Sequence, residues 1–352
     1  MTAELLQFLR SQNAFDHQPT YEALRVVHVP FDSLSGTPKV EARLEEAGYR
    51  NGRVALIGSS GCGKSSVISY VFGPEIEGIA PLVVPVSTVP AGTMIEPSTV
   101  ADHLIQTVAR RARSYGSVDS DSANEALTHA TARRPVRTGR DSGARVGVSF
   151  GWIKGELGAD LTRQTEAAVS ITPEEKLEVV QQLLFRISDH GLSPILIFDD
   201  TDRWLRGLGH NEPLRVVQAF FGRVVRWIAD LGCGVVVAVH DSYFTAATPK
   251  DEILEFLDTP IDIPDIPSAS ALERILTRRI ATVVAGSEHD GADAAQAFDD
   301  GAIDHLFRIY VAGRHHLRWA IRTSHVALTE ACDAGGERIT AASIDAAVAA
   351  DQ

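Results

Sequence analysis

Gly58-Ser59-Ser60-Gly61-Cys62-Gly63-Lys64-Ser65 follows the apolar run Val54-Ala55-Leu56-Ile57 and precedes a helical stretch from Ser65 to Phe72 that stops before Gly73-Pro74. A buried strand that enters a glycine-rich turn and leaves it as a helix is the setting a phosphate-binding loop requires, and this loop fits G-x-x-x-x-G-K-S at every defined position. The glycines let successive backbone N–H groups face phosphate oxygens, and the helix start adds its positive end. Lys64 supplies a point charge at the β and γ phosphates, and the Ser65 hydroxyl is a hard oxygen ligand suited to Mg²⁺. Gly58, Ser59, Ser60, Gly61, Cys62, Gly63, Lys64, Ser65 and the adjoining Ser66 are the expected cradle of a nucleoside triphosphate. Cys62 fills an unconstrained position and reads as a small residue that exposes backbone, not as a redox group.

Length and charge bound what surrounds this loop. The 352 residues suffice for a large α/β domain and a smaller lobe. A formal charge of −13 excludes a protein that coats nucleic acid with its whole surface, so any DNA contact must be local. Cys62, Cys233 and Cys332 are far apart and odd in number, which supports neither a disulfide framework nor a zinc site and points to the cytoplasm. No basic n-region with an apolar h-region opens the chain, and no run of about 18 apolar residues occurs, so neither a secretion signal nor a membrane span is expected.

Five apolar runs, 53–57, 82–87, 194–198, 234–239 and 260–263, alternate with helical stretches, the signature of a parallel sheet wound on both faces. One helix opens at Pro97-Ser98-Thr99 and runs to about Tyr115. Another has Thr172 as N-cap, Pro173 in its first turn, Glu175 closing a capping box, and an apolar face of Leu177, Val180, Leu184 and Ile187. Between them lies an insert over 116–164. Its first half carries Arg133, Arg134, Arg137, Arg140 and Arg145 among Ser, Thr and Asp; its second half alternates like a β-hairpin. This Arg133–Arg145 loop is either a contact for DNA or a partner protein, or a solvated linker. Beyond Pro267 four helical stretches follow, 269–285, 292–311, 314–333 and 340–351, a small helical lobe. The expected division is thus an N-terminal helical segment over 1–50, a nucleotide-binding core over 51–266, and the lobe over 267–352.

A second set of residues complements the loop. Ile195-Leu196-Ile197-Phe198-Asp199-Asp200 is an apolar strand ending in two carboxylates, and in a parallel sheet its carboxyl end opens at the loop's edge. Asp199 is expected to hold Mg²⁺ and Asp200 to orient or deprotonate the attacking water. The run 234–239 likewise ends on His240-Asp241, where either residue is placed to sense a γ-phosphate or to cap the next helix. In the lobe, Arg314, Arg318 and Arg322 recur every fourth residue as one basic stripe, with Arg318 the first choice for a phosphate clamp over a merely solvated face.

Taken together, the loop, the Asp199-Asp200 strand end, a polar strand end, a fifth strand and an Arg-bearing helical lobe resemble the AAA+ ATPases. The similarity lies with the branch of origin-recognition-type initiators, transposition-regulator ATPases and the STAND and KAP NTPases. Phe198-Asp199-Asp200-Thr201-Asp202-Arg203 looks most like the KAP and STAND version of the Walker B strand, and Ile339 to Ile344 looks like the entry to the last lid helix of many AAA+ proteins. The resemblance covers about 25–350. It implies a five-stranded parallel P-loop core with a four-helix lid, ATP and Mg²⁺ as cofactors, and an ATP-dependent homo-oligomer. It assigns Lys64, Asp199, Asp200, His240 or Asp241, and Arg318 to catalysis, and Ser65 with Asp199 to the metal. One departure stands out: 242–258 holds no arginine, so the usual arginine-finger position is empty and Arg203, Arg223 or Arg226 remain as alternatives. The winged helix of initiators is missing too. The expectation is an ATPase coupling slow hydrolysis to lid closure, assembly and action on a partner protein or DNA, of the kind found in mobile-element or phage-defence modules. A nucleotide-gated scaffold is the alternative, and a small-molecule kinase is the remote one.

Overall fold

The computed structural model describes residues 2–34, 39–73, 76–84, 97–117, 121, 123, 134–136, 167–169, 172–201, 212–245 and 248–350. The strands in chain order are β1 (Arg53–Ile57), β2 (Ile79–Val84), the short antiparallel pair β3 (Arg134–Val136) and β4 (Ala167–Val169), then β5 (Ser193–Phe198), β6 (Gly234–Val239) and β7 (Thr259–Asp262). All but β3 and β4 form one five-stranded parallel sheet in the order β2-β5-β6-β1-β7. The carboxyl ends of β5, β6 and β1 are therefore neighbours, and whatever follows each strand meets at one edge. The order of strands alone sets the site's position.

Side chains alternate across this sheet as strand geometry requires. Val54, Leu56, Ile195, Ile197, Val236 and Ala238 enter one core, with α3 (Val40–Tyr49), α4 (Lys64–Phe72) and the C-terminal lobe. Ala55, Ile57, Leu196, Phe198, Val235 and Val237 enter the other, with α5 (Pro97–Ser114) and α6 (Pro173–Asp189). The capping box of α6 is present: the Thr172 hydroxyl accepts from Glu175 N–H at 3.2 Å and the Glu175 carboxylate accepts from Thr172 N–H at 3.0 Å.

Three expectations shift. The second strand starts at Ile79 instead of Leu82, with Pro81 inside it, because β2 is an edge strand and a missing N–H costs least there. The stretch 292–311 is not one helix: it divides into Ala294–Ala297 and Ala302–Ala312, separated where Phe298 bridges Ile339 and Gly301 takes a φ of +76°. The helix expected from Arg314 begins at Leu317, and Arg314 sits before it at a φ of +48°, so only Arg318 and Arg322 share the basic stripe. Arg133, Arg137, Arg140, Arg145, Arg203 and the hairpin lie outside the described residues.

The N-terminal segment joins both bodies. Helix α1 (Thr2–Ser11) packs on the lobe: Leu5, Leu6 and Leu9 are buried, Phe15 meets Phe298 at 5.9 Å, and Arg10 pairs with Asp333 at 2.7 Å. Helix α2 (Tyr21–Val27) instead lies on α4. The connection between them crosses the carboxyl edge of the sheet.

Candidate functional site

The loop after β1 is built as the sequence demands. At Gly58 a Cβ would stand 2.6 Å from the Cys62 sulfur and 3.4 Å from Ile263 Cβ, so a larger residue would have to displace the Cys62 side chain. Burial pushes that thiol up, which fits a structural role and not a reactive one. Gly61 and Gly63 take φ values of +79° and +117°, open to glycine alone at no cost. Lys64 is buried, and its ammonium donates to the Gly58 and Ser59 carbonyls at 2.8 Å each.

The strand ends close on this loop. The Ser65 hydroxyl donates to Asp199 Oδ1 at 3.1 Å, and the same oxygen accepts from Asp200 N–H at 2.7 Å. Burial first, then the neighbouring Asp200 carboxylate, push the Asp199 carboxyl up to about 6, against pulls from Ser65 and the Lys64 ammonium. With Ser65, Asp199 forms a hard-oxygen pair of the kind Mg²⁺ takes beside substrate phosphates, so the residues fit that ion. Asp200 turns at a φ of +57°, a left-handed conformation that Asp tolerates and that throws its side chain out of line with the strand.

His240 and Asp241 are placed differently from the γ-phosphate contact expected. His240 Nε2 accepts from Ser60 N–H at 2.9 Å, so the imidazole holds the loop itself; Nδ1 accepts from Ser242 N–H at 3.0 Å, the cap of the next turn that was the alternative expectation, and lies 2.7 Å from the Ser242 hydroxyl and 3.0 Å from Asp241 Oδ1. Asp241 is exposed. Neither residue lines the main cavity.

That cavity has a volume of about 370 Å³ and is walled by Gly61, Lys64, Ser65, Asp199 and Asp200 on the core and by Arg318 on the lobe. The lobe helix Leu317–Asp333 starts on the loop: Arg318 N–H donates to the Gly61 carbonyl at 3.0 Å, and the His316 side chain caps the helix by accepting from Trp319 N–H at 3.1 Å. Burial, then the charges of Arg318, His315 and Arg322, hold His316 below the usual imidazole range. A smaller apolar slot of about 30 Å³, lined by Val27, Val29, Phe31, Ile275 and Leu317, adjoins the loop at Gly63 and Ser66. Behind it, buried His28 bridges Ser66 Oγ at 2.9 Å and Glu41 Oε1 at 3.0 Å, which ties the N-terminal segment to the first turn of α4.

The structure thus gathers Lys64, Ser65, Asp199, Asp200 and Arg318 at one cavity. Sequence reasoning missed Tyr21 and Arg279, which also line it. Arg279 had a signal: it interrupts the apolar stripe Leu272, Ile275, Leu276 and Ile280 of one lobe helix. Of the alternative arginine fingers, Arg223 is exposed and Arg226 lies over the Phe256 ring at 5.8 Å. The three cysteines are free, and no helix among the described residues is long and apolar enough to cross a membrane.

No family model and no curated protein matches the chain. Solved structures do resemble it. The Aeropyrum pernix ORC1 protein in complex with DNA is 16% identical with a TM-score of 0.48, over 93% of this chain and 69% of that one. The Aeropyrum pernix ORC2 protein is 12% identical with a TM-score of 0.45, over 89% and 67%. Drosophila ORC bound to DNA is 14% identical with a TM-score of 0.45, over 98% and 65%. This chain therefore spans about two thirds of those chains. The fold itself is a parallel five-stranded core, with the glycine-rich loop after β1, followed by a helical lobe.

Proposed function

We propose that the chain is an AAA+-type ATPase that binds Mg-ATP at the β1–α4 loop, hydrolyses it slowly, and couples nucleotide to closure of the C-terminal lobe, self-assembly and action on a partner protein or DNA. One convergence carries the reading: Ser65 and Asp199 bonded at 3.1 Å beside Lys64, in a cavity that the lobe closes with Arg318. In this reading the loop amides and Lys64 hold the β and γ phosphates. When bound, Mg²⁺ held by Ser65 and Asp199 supplies charge neutralisation across those oxygens. Asp200 orients the attacking water and takes its proton. Arg318 pairs with the γ-phosphate and so makes lobe position depend on nucleotide state.

The direct test is titration with Mg-ATP, followed by phosphate release with no added acceptor. Saturable uptake lost in Lys64→Ala, with phosphate released by the parent chain, supports the reading; absence of uptake ends it. Mass photometry with and without ATP, repeated with DNA, tests assembly. The absence of arginine from 242–258 favours a second reading, a nucleotide-gated scaffold. It is separated by Asp200→Asn: partner activity that survives this change and fails in Lys64→Ala means that binding suffices.

A further inference from the structure

The main cavity holds two buried donors that neither the loop nor the strand ends employ. Tyr21 opens α2, its carbonyl accepts from the Ser69 hydroxyl of α4, and its phenol oxygen is buried with no partner among the described residues. Arg279 lies in the first lobe helix and is 6% exposed. Its Nη1 donates to the Asp16 carbonyl at 2.7 Å, while its Nε is buried without a partner among the described residues. Both side chains line the 370 Å³ cavity with Lys64, Ser65, Asp199 and Arg318. Arg279 also lines the small apolar slot, so it stands where the two voids meet.

A buried donor left without an acceptor loses its hydration with nothing in return, and the loss is greater when it is charged. Two such donors at one cavity, one from the N-terminal segment and one from the lobe helix bonded to it, share a single remedy: a ligand rich in acceptor oxygens. Anionic character is demanded as well, because a buried guanidinium with only a backbone carbonyl in hand is short of negative charge. Burial lowers the Arg279 guanidinium to about 10, against a small upward pull from Asp16, which reflects the same deficit. The phenol is pushed up by burial first and then by the Asp199 charge.

We propose that Tyr21 and Arg279 are nucleotide-binding residues: the phenol O–H and the guanidinium donate to oxygens of the bound triphosphate, so the N-terminal segment and the lobe complete a site that the loop begins. Arg279, at the junction with the apolar slot, serves the end of the phosphate chain nearer the sugar. Its existing bond to Asp16 makes the crossing segment 16–21 part of the binding wall. This rests on the triphosphate reading given above.

The experiment uses the full chain, Mg-ATP titration and melting without nucleotide. Tyr21→Phe removes one oxygen and nothing else. It is expected to leave the nucleotide-free melting temperature unchanged or raised, because an unsatisfied buried hydroxyl is gone, and to weaken Mg-ATP binding about 5–10-fold. Arg279→Gln is expected to weaken it more than tenfold. Wild-type uptake matched by undiminished uptake in Tyr21→Phe, or a lower melting temperature with unchanged affinity, overturns this assignment and leaves the triphosphate site standing. Absence of uptake by the wild-type chain overturns both. Should Arg279→Gln fail to fold, the Tyr21→Phe pair of readings decides.

Discussion

Arg318 N–H donates to the Gly61 carbonyl at 3.0 Å, so the lobe begins its longest helix on the phosphate-binding loop itself. The contact is close enough to exclude any side chain at position 61: a Cβ there would stand 2.7 Å from His316 Nδ1 and 2.8 Å from Arg318 Cβ, at a φ of +79°. Gly61→Ala therefore meets strain from its backbone and a clash with the lobe together, worth roughly 1–3 kcal/mol for the backbone alone. The expected result is faster amide exchange across 317–321 and nucleotide affinity reduced more than tenfold. Exchange protection equal to the parent chain would show that the lobe does not lean on the loop.

Asp200 supplies a cleaner separation of binding from chemistry. Its left-handed turn suits Asn as well as Asp, and its backbone N–H keeps its 2.7 Å bond to Asp199 whatever the side chain. Asp200→Asn should hold Mg-ATP within about 3-fold of the parent affinity, while single-turnover hydrolysis falls on the order of 100-fold, the lower range for loss of a general base. An unchanged turnover rate would remove Asp200 from the chemistry.

Asp199 carries a cost that ligand binding should offset. Its carboxyl titrates at about 6 in the folded chain against an ordinary value of 3.8. Between those values the folded state holds the proton and the unfolded state has released it, so stability falls as pH rises through that window. Once the group is fully ionised the penalty is on the order of 3 kcal/mol. Asp199→Asn, which still accepts from Ser65 and Asp200 N–H, should melt higher than the parent at pH 8 in chelator, and equal it near pH 3, while losing Mg²⁺-dependent nucleotide uptake. Parallel melting curves across pH would contradict a desolvated carboxylate.

The parts legible in the sequence are those fixed locally. The β1 and β6 runs match to the residue because each is an unbroken apolar stretch between turn formers, and Lys64, Ser65 and Asp199 come together because strand order sends both loops to one edge. β2 was misplaced because Pro81 reads as a break until the strand is known to lie at the sheet's edge. The split at Gly301 was hidden by a helical pattern on both sides of it. Tyr21 and Arg279 were invisible for another reason: 258 positions separate them, and only the packing of α2 against α4 and the first lobe helix brings both to the cavity. Nothing in local periodicity announces such a wall.

His240 shows how a residue legible in sequence can be given a different task by geometry. Following a strand beside the loop, it is expected to read the γ-phosphate or to cap the next turn; it does cap that turn through Nδ1, while its Nε2 is engaged by Ser60 N–H at 2.9 Å and it does not line the cavity. At the other side of the ring, Nδ1 accepts from Ser242 N–H at 3.0 Å, with the Ser242 hydroxyl and Asp241 Oδ1 also within reach. The imidazole then acts by holding an amide of the loop in register, an effect blind to the third phosphate. His240→Ala should weaken ATP and ADP by the same factor, about 5–10-fold for one lost bond to a loop amide. The ratio of the two affinities is the quantity to measure by competition titration. A loss confined to ATP would place the ring at the γ-phosphate and return it to a sensing role, whereas equal losses make it a positioning residue that acts through Ser60.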